Sequence, residues 1–214
     1  TDEQKKLFTE YADKILDVYQ KPNHMSLNGK QHVKHDRHVI AHNKHERVIV
    51  DFDGMNKYSI GQYDLFSENI MEVDIDEKHL LVPFVCVYNL GTTKNWGLSH
   101  IRDLSKIDYK KDSYDYLVLD QNKKTILKSL ILQKSNSDKY SDFIENKGNG
   151  LVFLLYGPPG SGKTLTAEAT CELLEKPMYS LNVGDLGTDS ENMELILNTI
   201  IEYCVRWDAI IVID

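Results

Sequence analysis

Apolar side chains at Phe8, Tyr11, Ala12, Ile15 and Tyr19 return every three or four residues, Leu7, Leu16 and Val18 widen the stripe, and charges lie opposite. Residues 2–19 are therefore predicted to form an amphipathic helix that ends near Pro22. The segment 22–46 is polar and carries His24, His32, His35, His38, His42 and His45; it reads as a solvated connector. Residues 47–51 read as a strand entering a turn at Asp53 and Gly54, followed by an acidic stretch from Asp64 to Glu77 that reads as a solvated face. The run 80–88, rich in Val, Leu and aromatics, predicts a buried strand, 96–100 a shorter one, and 121–133 a helix with Ile126, Leu127, Leu130 and Ile131 on one face. A polar connector follows at 135–138. From 151 onward the pattern changes: apolar runs at 151–156, 178–183 and 209–213 alternate with helical patterns at 163–175 and 191–207. Thr188 and Glu191 form a capping-box pattern before the second of these helices. Apolar strands spaced by helices predict a parallel sheet covered on both faces.

The expected fold class is thus α/β in three parts: an N-terminal helix with its histidine-rich connector (1–45), an α+β domain (46–134), and an alternating strand–helix segment (135–214). The 214 residues include 33 acidic and 25 basic side chains, a net charge of -8, which argues against a general binder of nucleic-acid backbones. No apolar run reaches bilayer length, since 80–88 is short and broken by Pro83, and the first residues lack a signal-peptide pattern. The expected setting is intracellular, cytoplasmic or nuclear, with no membrane partner. Cys86, Cys171 and Cys204 are odd in number, widely spaced and set among apolar neighbours, the pattern of reduced core cysteines. Trp96 and Trp207 are expected to be core anchors. The chain opens at Thr1 and stops at Asp214 directly after an apolar run, so it is expected to be a piece of something longer.

Candidate chemistry concentrates between the first apolar run and the first helix of the last part. Gly157-Pro158-Pro159-Gly160-Ser161-Gly162-Lys163-Thr164 fits G-x-x-x-x-G-K-[ST] at every fixed position. Gly160 and Gly162 allow backbone conformations closed to other residues, so successive N–H groups can turn around a phosphate. A helix beginning near Lys163 aims its unsatisfied N–H groups and positive dipole end at the same place. Lys163 is expected to reach the β and γ phosphates and the Thr164 hydroxyl to bind Mg²⁺; the nucleotide-binding set runs on to Leu165. A second acidic element should hold Mg²⁺ through water, and Asp214, at the end of the apolar run 209–213, stands where ligands of open α/β sheets collect. Lys163 and Asp214 are the expected catalytic residues, Thr164 and Asp214 the expected metal residues.

On these residues the chain resembles the AAA+ ATPases: the two prolines of the loop, the helix start Leu165-Thr166-Ala167-Glu168-Ala169, and the spacing to Ile210-Ile211-Val212-Ile213-Asp214 are similar to the first half of that module. More narrowly, Lys147-Gly148-Asn149-Gly150, the stretch around Gly184, and Trp207-Asp208-Ala209 resemble an uncharacterised, largely fungal group of AAA-type ATPases with an N-terminal domain of unknown function. The likeness extends upstream through Asn95-Trp96-Gly97 and 115–120, to cover about residues 46–214. It implies that 135–214 is the first half of an ATPase core, a truncated P-loop NTPase sheet flanked by helices, with ATP and Mg²⁺ as cofactors. It further implies a homo-oligomeric ring in the whole protein, hydrolysis at subunit boundaries, and remodelling of a protein substrate or complex. It also implies a strand order in which 178–183 pairs in parallel with the Asp214 strand, while a later strand separates that strand from 151–156.

Two departures qualify the implication. The region 186–190 has no aromatic residue, unlike the pore loops of many remodelling AAA+ proteins, so substrate threading is not expected. The water-polarising Glu, the sensor of the γ phosphate, the arginine finger and the helical lid would all follow residue 214, so the fragment itself is expected not to turn nucleotide over. Other readings stay open. A GTPase should carry Asn-Lys-x-Asp after the loop, whereas Asn122-Lys123-Lys124-Thr125 precedes it and lacks the Asp; a small-molecule kinase is the other P-loop alternative. A metal-binding or interaction module is a third: on a helix, His32, His35, His38, His42 and His45 would share a broad face able to hold Zn²⁺. No Cys lies nearby and Lys30, Lys34, Arg37 and Lys44 surround them, so no structural metal is expected.

Overall fold

The computed structural model describes residues 2–35, 38–58, 83–91, 93–136, 151–182, 184 and 190–214. In chain order its elements are α1 (Asp2–Tyr19), β1 (Asn23–His35), β2 (His38–Val50), α2 (Phe52–Tyr58), β3 (Phe84–Asn89), β4 (Trp96–His100), β5 (Leu104–Lys106), α3 (Gln121–Asn136), α4 (Lys163–Leu174), β6 (Met178–Leu181), α5 (Ser190–Arg206) and β7 (Ile210–Ile213). They form two units: Thr1–Ile107 with Tyr179–Asp214, and Asp108–Met178.

In the first unit, β1 and β2 form one long antiparallel hairpin, in register from Asn23↔Val50 to His35↔His38. This corrects the reading of 22–46 as a connector. Met25, Leu27 and Val33 on β1, and Ile40, Val48 and Val50 on β2, do alternate at the two-residue period of a strand. The polar residues between them, Gly29, Gln31 and the histidines, hide that period. β2 pairs with both β1 and β3, β3 with β4, and β4 and β5 with the other edge of β1, so the strands close on themselves as a small antiparallel barrel.

Closure gives the barrel an inside and an outside, and the pleat sends alternate residues to each. Leu27, Val48, Val50, Val85 and Val87 are completely buried within it, and Ile15, Val18 and Tyr19 of α1 plug it. The Tyr19 hydroxyl accepts a 3.1 Å hydrogen bond from the Cys86 N–H, tying helix to wall. Toward one end the interior turns polar: Asn89 donates to Gln31 Oε1 at 3.3 Å and to Glu46 at 2.5 Å, and Gln31 Nε2 donates to the Asn95 carbonyl. Buried amides are tolerated where they satisfy one another in this way.

On the outside of the barrel Ile49, Cys86, Tyr88 and Trp96 meet a second layer made by β6, α5 and β7, whose Tyr179, Leu181, Ile200, Tyr203, Cys204 and Trp207 complete one core. β6 pairs with β7, the partner that the resemblance implies for it. Both tryptophans are core residues, as are the free thiols of Cys86 and Cys204, each pushed up to about 12 by burial and so held as inert thiols.

The second unit is helical. Asp120 starts α3, its Oδ1 accepting from the N–H groups of Asn122 and Lys123 at 3.1 Å each. Tyr114 and Leu117, in and just after a 3₁₀ turn at Lys111–Tyr116, pack with Ile131 of α3 and Ala169 of α4. Residues 151–156, expected to be a strand, are not paired in a sheet; Val152, Leu154 and Tyr156 are 91%, 87% and 90% exposed. Apolar β-formers supply the tendency to extend, but a strand exists only where neighbours satisfy its N–H and C=O groups. The capping residue Thr188, the acidic stretch and the connector from 137 lie outside the described residues. The protein is thus a mixture of helices and sheets whose larger sheet is antiparallel, and no helix among the described residues is long and apolar enough to cross a membrane.

Candidate functional site

The loop 157–162 leads into α4, which starts at Lys163 as expected. Its glycines adopt the backbone the motif demands: φ is +78° at Gly160 and +86° at Gly162, in the region that side chains with a Cβ avoid. Nothing lies within 4 Å of where a Cβ would stand at either position, so both glycines face open space. A turn closed by the Ser161 N–H on the Pro158 carbonyl (3.2 Å) shapes it.

Gly162 is the N-cap of α4 and brings no side-chain acceptor. The first intrahelical bond runs from the Thr166 N–H to the Gly162 carbonyl at 2.9 Å, reinforced by the Thr166 hydroxyl at 2.8 Å. Lys163, Thr164 and Leu165 precede that bond, in the turn where helical N–H groups have no intrahelical acceptor. Lys163 folds back so that its ammonium donates to the carbonyls of Gly157 and Pro158 at 3.0 and 3.1 Å. A cation is therefore held over the mouth of the loop by two weak neutral acceptors, which an anion would displace. Thr164 and Leu165 are exposed. All the residues from Gly157 to Leu165 belong to the second unit.

Asp214 belongs to the first. It follows β7, is exposed, and donates its N–H to the Leu181 carbonyl of β6 at 3.0 Å. What the sequence does not reveal is how the segment leading to it is held. Asp51, at the end of β2, is 3% exposed and accepts four hydrogen bonds: from the Gly54 N–H at 2.9 Å, from Arg206 Nε and Nη2 at 2.6 and 2.8 Å, and from Trp207 Nε1 at 2.8 Å. Arg206 also reaches Asp53 at 3.2 Å, and these acidic partners raise its pKa further above its already high ordinary value. A Cβ on Gly54 would stand 2.4 Å from Asp51 Oδ2, so only glycine lets this carboxylate cap α2 and grip Arg206 together. The only sequence hint is an Asp directly after an apolar strand, followed three residues later by Gly.

Part of the chain is similar to known proteins. Over 114 residues the chain is 28% identical to the protein named AAA-ATPase ASD, mitochondrial, of Arabidopsis thaliana, covering 53% of this chain and 22% of that protein. Over 87 residues it is 31% identical to AAA-ATPase At3g28580 of the same plant, covering 41% of this chain and 17% of that protein. The match thus spans about a fifth of these relatives' length. No solved structure matches the chain. Residues 153–214, which contain the whole phosphate loop and Asp214, match the family described as ATPase family associated with various cellular activities (AAA).

Proposed function

We propose that this chain is the nucleotide-binding portion of an AAA-type ATPase, which in the whole protein couples ATP binding and hydrolysis to remodelling of a protein or complex. The observation that carries the reading is the loop: two glycines at positive φ with open space beside them, and an ammonium poised on two carbonyls at the N-terminus of α4. This donor set suits a polyphosphate. Lys163 would pair with the outer phosphates, the N–H groups of 162–165 would line their oxygens, and the Thr164 hydroxyl with Asp214 would hold Mg²⁺. The metal would offset phosphate charge; orientation comes from the loop itself.

The remaining features fit the same reading. Three buried cysteines that form no disulfide suit a reducing intracellular compartment. We infer that the complete sheet pairs 151–156 with a strand outside this chain, which would bury the apolar side chains now exposed there. The narrower likeness to a largely fungal group, ring assembly, and an N-terminal domain of unknown function ahead of an ATPase core from about 135 belong to this proposal too. A whole-protein test follows. Purified full-length protein should release phosphate from Mg·ATP, its Lys163→Ala variant should lose the activity by orders of magnitude, and the 214-residue chain alone should show none. Equal rates for the full-length protein and the Lys163→Ala variant would refute the assignment.

A further inference from the structure

Arg206 and Trp207 stand immediately before β7, and β7 ends at Asp214. The turn between them is tight: Asp208 has φ +50° and the Ala209 N–H donates to the Cys204 carbonyl at 2.8 Å. The start of the strand is therefore fixed by the Asp51 carboxylate, which belongs to the barrel side of the core. Its end is fixed by the bond from the Asp214 N–H to β6. Around the anchor, the Trp207 ring stacks on Tyr203 at 4.7 Å and 10°, Tyr88 of β3 lies 5.0 Å from Trp207, and Trp96 Nε1 of β4 donates to the Tyr203 hydroxyl at 3.2 Å. A buried carboxylate with every contact made, set in close-packed rings, has little freedom to adjust. A shift at either end of a four-residue strand must be felt at the other.

We propose that Asp51 is a positioning residue for the nucleotide site: through Arg206 and Trp207 it sets the place of Asp214, and the same clamp reports occupancy of that site to the barrel. The inference rests on Asp214 holding the divalent cation. It makes the N-terminal barrel a part of the ATPase that senses its state, rather than a separate attachment.

The chain has only two tryptophans, Trp96 and Trp207, and both lie in this cluster, so its intrinsic emission is a built-in readout. In the full-length protein, adding Mg·ATP should change the emission contributed by Trp207, identified by difference from Trp207→Phe. Asp214→Ala should abolish the change while still binding ATP. Asp51→Asn should bind ATP within about twofold of wild type, need at least about fivefold more Mg²⁺ for half-maximal hydrolysis, and lose kcat with KM for ATP unchanged. Should Asp51→Asn fail to fold, Arg206→Lys keeps the charge without the two-pronged grip and should shift Mg²⁺ dependence the same way, by less. A folded Asp51→Asn or Arg206→Lys protein with wild-type Mg²⁺ dependence and emission change overturns the inference and leaves the ATPase reading standing. Wild-type protein that binds no ATP overturns both.

Discussion

The phosphate loop and the Asp51 clamp are built in opposite ways. The loop is exposed, is made of contiguous residues, and holds its shape by backbone dihedrals and a few short-range bonds. The clamp centres on a buried carboxylate and a buried indole, with a partly exposed guanidinium between them, and joins residues 155 and 156 positions apart that satisfy one another. Chemistry on a ligand needs groups that are accessible and free to exchange partners; holding a strand needs groups that are neither. The two regions should therefore fail differently when broken.

The largest effect is expected on stability. Asp51→Ala leaves the buried Trp207 N–H without its acceptor, which costs about 1–3 kcal/mol, and takes from the partly exposed Arg206 its two shortest bonds, leaving it only Asp53; the lost charge-assisted bonds add about as much. Lys163→Ala removes only bonds to loop carbonyls at the surface and should change stability by less than about 1 kcal/mol. Urea unfolding of the two variants checks the contrast, and comparable losses would erase the distinction between the two regions.

A smaller effect should follow pH. Burial, with Arg47 nearby adding to it, lowers the pKa of His24 in the barrel wall from 6.5 to about 3. Between these values the unfolded chain binds the proton and the folded one does not, so stability is complete above pH 6.5 and falls as pH drops toward 3, by at most about 1.4 kcal/mol per unit. Melting temperature measured from about pH 6 to about pH 4, inside that window, should decline, and His24→Gln should flatten the decline. An unchanged slope in the variant would assign the acid sensitivity to other groups.

The same contrast explains what is legible in the sequence. The loop is legible because eight consecutive residues carry it and each residue type has a local reason to be there. The helices α1, α3, α4 and α5 are legible because their apolar residues recur at helical spacing, and β3, β4, β6 and β7 because they are short and apolar or aromatic. The β1–β2 hairpin is hidden because its wall uses Gly29 and Gln31, and the Gln31 amide is satisfied by Asn95 and Asn89 arriving from elsewhere in the chain. Sequence alone marks Asp51 as the end of a strand and nothing more, since its partners lie at 206 and 207. The run 151–156 shows the converse: its composition is that of a buried strand, yet pairing depends on neighbours that composition does not supply.

If the loop at 157–165 receives the phosphates of ATP, Lys163 is the charge that no neighbour replaces. Isothermal calorimetry of Mg·ATP binding to the full-length protein, wild type against Lys163→Ala, tests this directly. Measurable binding by the wild type is expected, weakened at least about tenfold in the variant, which is the scale of one charge-assisted contact. Equal affinity in the two proteins would contradict it.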